Sequence, residues 1–142
     1  MKDFNDKLIQ FDLNSIIEIY TDATPETIDI FIKIDGVLYR YPLKNDQGFQ
    51  DPYQNESYAV LKALEILDPN SKAVLHCDHK GLVDRLNRPY PRTNDNQDNE
   101  IKIRSIIKSK NLKMTFKWIC GKTNPADILK YIPEHYRKKP YT

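Results

Sequence analysis

Along residues 27–34, TIDIFIKI, isoleucine takes every second position, and Asp29, Phe31 and Lys33 fill the places between. Alternation of period two marks a strand with one buried face, because successive side chains point to opposite sides of a sheet. It leaves the face carrying Asp29, Phe31 and Lys33 partly wet. Residues 16–21, IIEIYT, are β-branched and aromatic in the same way, and the turn-like DATPE joins the two runs. The Asp-Gly pair at 35–36 tolerates the positive φ of a tight turn, so VLYRYPL at 37–43 reads as a third strand, antiparallel to the second. Residues 44–53 are polar and turn-rich.

The period then lengthens. In NESYAVLKALEIL, 55–67, apolar residues fall at 60, 63, 64 and 67, a helical stripe that DPN brings to an end. KAVLHC, 72–77, is a short strand of buried type. KGLVDRLN, 80–87, is helical until Pro89 breaks it. The polar stretch 88–98 is an exposed connection, and NEIKIRSIIKSK, 99–110, is an amphipathic helix. LKMTFKWI, 112–119, alternates as a fifth strand. NPADILKYI, 124–132, opens a last helix, with Asn124 suited to the N-cap and Pro125 to the first turn. The order βββαβααβα predicts an α/β protein, a mixed five-stranded sheet with helices on its faces. It is read as one domain over 1–142, with an N-terminal extension at 1–14 and a basic tail at 133–142.

Composition narrows the class. The 142 residues are 39% hydrophobic and 30% charged, which suits a folded globular chain. No apolar run approaches membrane-span length, and there is no signal peptide. A net charge of +2 does not by itself imply nucleic-acid binding. The two cysteines, Cys77 and Cys120, form no C-x-x-C pair, so reduced thiols and a cytoplasmic location are expected. Metalloprotease, deaminase and P-loop patterns are absent.

The chemistry lies in acids at the ends of elements. Asp22 closes the first strand, Glu56 opens the first helix, Asp78 follows the fourth strand, and Asp127 sits in the first turn of the last helix. Strands that share a sheet bring their ends together, so these carboxylates can converge on one rim. Taken singly, each has an ordinary explanation, as a first-turn acid favoured by the helix dipole or a strand terminator. Clustered, they repel one another and are driven toward protonation. Divalent cations relieve that cost, and hard oxygen ligands select Mg²⁺ or Mn²⁺. Two such ions would hold the attacking and leaving oxygens of a phosphodiester. The dense stretch HCDHK, 76–80, is not read as a zinc site, because alternation sends Cys77 to the face opposite His76 and Asp78. Cys77 is expected to be a buried thiol, with His79 and Lys80 as outer neighbours of Asp78.

These segments in this order resemble the ribonuclease H family. YTDAT is similar to its first-strand Asp segment, NESYAVLKALEIL to its Glu-led helix, LHCDHKGLVDRLN to its fourth-strand Asp followed by a helix, and WICGKTNPADILKY to its closing Ala-Asp element. The likeness spans about residues 16–132, and GKTNPAD is closest in wording to retroelement reverse-transcriptase domains. It implies Asp22, Glu56, Asp78 and Asp127 as ligands of two Mg²⁺ or Mn²⁺ ions. It also implies hydrolysis of the RNA strand of an RNA–DNA hybrid, with water as nucleophile and recognition through hybrid shape and 2′-hydroxyls. His79, Lys80, Lys122, Asn124, Arg137, Lys138 and Lys139 are the candidate nucleic-acid contacts, and a reverse-transcriptase or other polyprotein domain is the implied partner. No membrane partner is expected.

The chain departs from the family in three places. The first hairpin has no glycine, Lys122, Thr123 and Asn124 stand where many members carry a loop histidine, and the basic substrate-gripping helix is missing. His135 is a candidate replacement for the histidine. Trp118 is read as core, and Tyr39, Tyr41, Tyr53 and Tyr58 as residues of half-buried surfaces. Two rival readings stay open: a catalytically silent domain on this fold that binds nucleic acid or protein, and a resolvase- or transposase-type nuclease.

Overall fold

The computed structural model describes residues 2–3, 16–34, 37–48, 51–89, 98–121 and 124. Its elements run β1 (Lys2–Asp3), β2 (Ile16–Ala23), β3 (Thr27–Ile34), β4 (Val37–Lys44), α1 (Pro52–Glu65), β5 (Lys72–Cys77), α2 (Lys80–Leu86), α3 (Asp98–Ser109) and β6 (Lys113–Trp118). The sheet order is β1-β4-β3-β2-β5-β6. β2, β3 and β4 are antiparallel, whereas β5 joins β2 in parallel and β6 joins β5 in parallel. The five patterned strands therefore stand in a mixed α/β sheet, as their sequences predict. A sixth, Lys2–Asp3, pairs in parallel with the outer edge of β4. It falls inside the stretch read as an extension, because two residues carry no periodicity. The last helix expected at 124–132 and the hairpin turn at 35–36 lie outside the described residues.

The isoleucine alternation does what its period requires. Ile28, Ile30, Ile32 and Ile34 are buried and meet Ile17, Ile19, Leu75 and Phe116 in one core with Val60, Leu64 and Leu82 from the helices. The opposite face is drier than the pattern predicts: Phe31 and Asp29 are buried, and of the three intervening residues only Lys33 is exposed. α1 packs on β2 and β3, with α3 against it and α2 beside it over β6.

The first helix begins at Pro52, inside the stretch that reads as loop. Asp51 caps it, accepting from the Tyr53 N–H at 3.0 Å, and Pro52 takes a first-turn position where its missing N–H costs nothing. The buried Asn45 holds this entry in place: its Nδ2 donates to Thr24 O and Asn55 Oδ1, both at 2.8 Å. Its Oδ1 accepts from the N–H groups of Gln47 and Gly48. Gly48, with φ of 56°, supplies a left-handed backbone in that loop. At the far end, Lys110 Nζ donates to the carbonyls of Leu64, Glu65 and Leu67, a cation set against the carboxyl end of the helix.

Between α2 and α3 lies the most buried ion pairing among the described residues. Glu100 is 1% exposed and accepts from Arg85 at 2.9 Å and from Arg104 at 3.2 Å. Arg104 also donates to the carbonyls of Arg88 and Arg85. Removing the acid strands two guanidiniums. Glu100→Ala is therefore expected to destabilise the protein by about 3 kcal/mol, read from urea unfolding, and Glu100→Gln by less.

Candidate active site

β2 and β5 run side by side in the register Thr21 opposite Cys77. The next residue on each chain is an aspartate, Asp22 within β2 and Asp78 just past β5. Glu56 reaches this rim from α1. Because the helix starts at Pro52, Glu56 lies beyond the first turn, where the helix dipole no longer accounts for an acid. The side chain is 6% exposed, and Asp22 is 5% exposed.

Glu56 Oε1 accepts from the Ala23 N–H at 3.3 Å, and its Oε2 accepts from the Cys77 thiol at 3.8 Å. Burial, then the charges of Asp22 and Asp78, push its carboxyl up to about 9, and a hydrogen bond with Asp22 acts in the same direction. Ligand atoms of Glu56, Cys77 and Asp78 lie within 4.8 Å of one another. Strand alternation does not separate Cys77 from Asp78, contrary to the sequence reading, because Asp78 stands past the end of β5 where the alternation stops. Cys77 is buried, as expected, and burial pushes its thiol up. A soft ion would need the thiolate that this environment opposes, so the usable donors are carboxylate oxygens, which suit Mg²⁺ or Mn²⁺.

The turn that presents Asp78 is stitched from both sides. The His79 N–H donates to Cys77 Sγ at 3.5 Å, Ile119 N–H to Cys77 O at 3.0 Å, and Trp118 Nε1 to Asp78 O at 3.1 Å. A Cβ on Gly121 would stand 3.2 Å from Asp78 Oδ2, so this glycine lets the chain pass close to the carboxylate. His79 caps α2, its Nδ1 accepting from the Leu82 N–H at 3.1 Å, and its ring lies edge-on to Tyr53 at 5.5 Å. Lys80 is exposed at the start of α2.

Asn124 is fully buried, and its Nδ2 donates to Thr21 O at 2.9 Å. It ties the segment after β6 to the strand that carries Asp22, an internal role in place of the phosphate contact considered from sequence. Asp127, Lys122, Arg137, Lys138, Lys139 and His135 lie outside the described residues.

Sequence pattern missed three neighbours of the site. Asp29 sits directly opposite Asp22 and pairs with Arg40 at 3.6 Å. Gly121 and the thiol contact of Cys77 are the other two. Asp29 had a cue in the adjacent strand positions, whereas the Cys77 contact had none.

Two outcomes follow from this geometry. The folded form holds a proton on Glu56 that the unfolded chain releases above about pH 4.5, so the stability this group contributes is complete below that pH and is lost as pH rises toward about 9. Glu56→Gln should therefore be more stable than the parent near pH 8, by a few kcal/mol in urea unfolding, with the gap closing near pH 5. Gly121→Ala should displace the Asp78 carboxylate by a few tenths of an ångström, read from a crystal structure of the variant, with little change in melting temperature.

No family model matches the chain, and comparison with curated proteins gives no match. Among solved structures the chain is similar to the N-terminal RNase H domain of a Mycobacterium tuberculosis protein, solved as a fusion with maltose-binding protein. The TM-score is 0.53 and the identity 12%, over 82% of this chain and 91% of that one. At that identity the likeness speaks for the fold. The chain has a ribonuclease H-like α/β fold.

Proposed function

We propose that this protein is a divalent-metal-dependent endonuclease that hydrolyses the RNA strand of RNA–DNA hybrids. The observation that carries the reading is the placing of Asp22 and Asp78 side by side at the carboxyl ends of β2 and β5, with the buried Glu56 carboxyl between α1 and that rim. In this reading those three and Asp127 hold two Mg²⁺ or Mn²⁺ ions. When bound, the ions supply an activated water and neutralise charge on the leaving 3′-oxygen. The chain's own groups do the rest. Ala23 N–H and the Cys77 thiol aim Glu56, which gives up its proton as positive charge enters, so binding strengthens as pH rises. Gly121 lets the chain pass close behind the Asp78 carboxylate.

Recognition of hybrid shape and 2′-hydroxyls is part of the proposal, with Lys80, the outer edge of His79, Lys122, Arg137, Lys138 and Lys139 as phosphate contacts. The retroelement type, and with it a reverse-transcriptase or polyprotein partner domain, rests on the GKTNPAD wording alone. No helix among the described residues is long and apolar enough to cross a membrane.

The test offers labelled RNA–DNA hybrid, duplex DNA and a four-way junction with Mg²⁺, Mn²⁺ or EDTA. Metal-dependent cutting confined to the RNA of the hybrid is expected. Asp78→Asn should lower the rate by roughly a thousandfold while keeping the fold. Mn²⁺ should raise the melting temperature of the parent and not of Asp78→Asn. Mn²⁺ stabilisation without any cutting would mean a silent domain, and cutting of the junction would mean a resolvase-type enzyme.

A further inference from the structure

Trp118 ends β6, where the strand's alternation predicts a core side chain, yet it is 53% exposed. Two other large hydrophobic residues are exposed among the described ones. Ile16 begins β2, at the end away from Asp22, and Ile101 lies on the outer side of α3. Trp118 differs from both in standing at the acid rim and being held there. Its indole Nε1 donates to the Asp78 carbonyl at 3.1 Å, and β6 is registered so that Trp118 lies beside Cys77. An aromatic face kept in water while its polar edge is bonded to the protein is oriented toward something outside.

We infer that the indole face of Trp118 is a contact surface for the nucleic-acid strand whose phosphodiester lies at Asp78, packing against the C–H face of a sugar. The inference rests on the nuclease reading above. In a duplex the base faces are stacked on one another and closed to side chains, so an aromatic ring beside the backbone meets sugar. The charge nearby suits a phosphodiester chain: exposed Lys80 opens α2 just past Asp78. The tether also fixes the position of the ring relative to Asp78, so a strand seated on it is held in one register against the acids.

The chain holds a single tryptophan, so its fluorescence reports on this position in the unaltered protein. An end-labelled RNA–DNA hybrid is added with Ca²⁺ in place of Mg²⁺. Binding is followed by anisotropy of the label, and exposure of Trp118 by acrylamide quenching. The expected result is hybrid binding that reduces quenching about twofold. Trp118→Ala should weaken hybrid binding about tenfold and Trp118→Phe, which keeps an apolar face, by less than about threefold, both with the Mn²⁺-induced rise in melting temperature intact. Hybrid that binds without altering the quenching overturns the inference and leaves the nuclease reading standing. Loss of the Mn²⁺ effect in both variants also overturns it, since Trp118 would then act only by holding Asp78. Failure of the hybrid to bind at all overturns both.

Discussion

The lateral alignment of β2 and β5 decides where the acids stand. Thr21 lies opposite Cys77, so Asp22, still within β2, and Asp78, just past the end of β5, stand at the same height. A slip of one position would part Asp22 from Asp78 by about 3.3 Å along the strand and turn alternate side chains to the wrong face. The alignment is held by the apolar residues behind it. Ile17, Ile19, Ala73 and Leu75 are buried on the helix side of the sheet, and any other register would bring polar neighbours into that core. The packing that stabilises the fold therefore also sets the spacing of the acids.

The protein treats its buried acids in two ways. Glu100 has Arg85 and Arg104, and Asp29 has Arg40. Glu56 has an amide, a thiol and two aspartates. A buried acid surrounded by acids is tolerated only while it keeps its proton or gains a cation. The cost is local, and the tightly packed core around α1 absorbs it, as is common where stability and function compete.

Much of this was legible in the chain. Alternation located β3 and β6, β-branched or apolar runs and a turn signal located β2, β4 and β5, and helical stripes located α1 and α3, because amphipathic faces must match the elements that bury them. What was hidden has physical reasons. Pro52 reads as loop punctuation, although proline is equally at home in a helix's first turn, so the start of α1 and the place of Glu56 within it were misjudged. Asp29 and Phe31 look half-wet by alternation, but both faces of a central strand can be covered. Trp118 reads as core by the same rule and stands in solvent, because a strand's last residue can run past the cover of its neighbours. The nearness of Cys77 to Asp78 was invisible for a related reason: alternation holds only while the strand lasts.

The parallel joining of β2 to β5 also has a cost in chain closure. β2, β3 and β4 follow one another along the chain and pair antiparallel, needing only short closures. β5 reaches β2 only after the chain has passed through β3, β4 and α1, a non-local closure that is slower to form. Asp22 and Asp78 are far apart along the chain, and only the pairing of β5 with β2 brings them together. A chain in which that pairing is broken carries no acid rim, whatever local helices and hairpins it keeps.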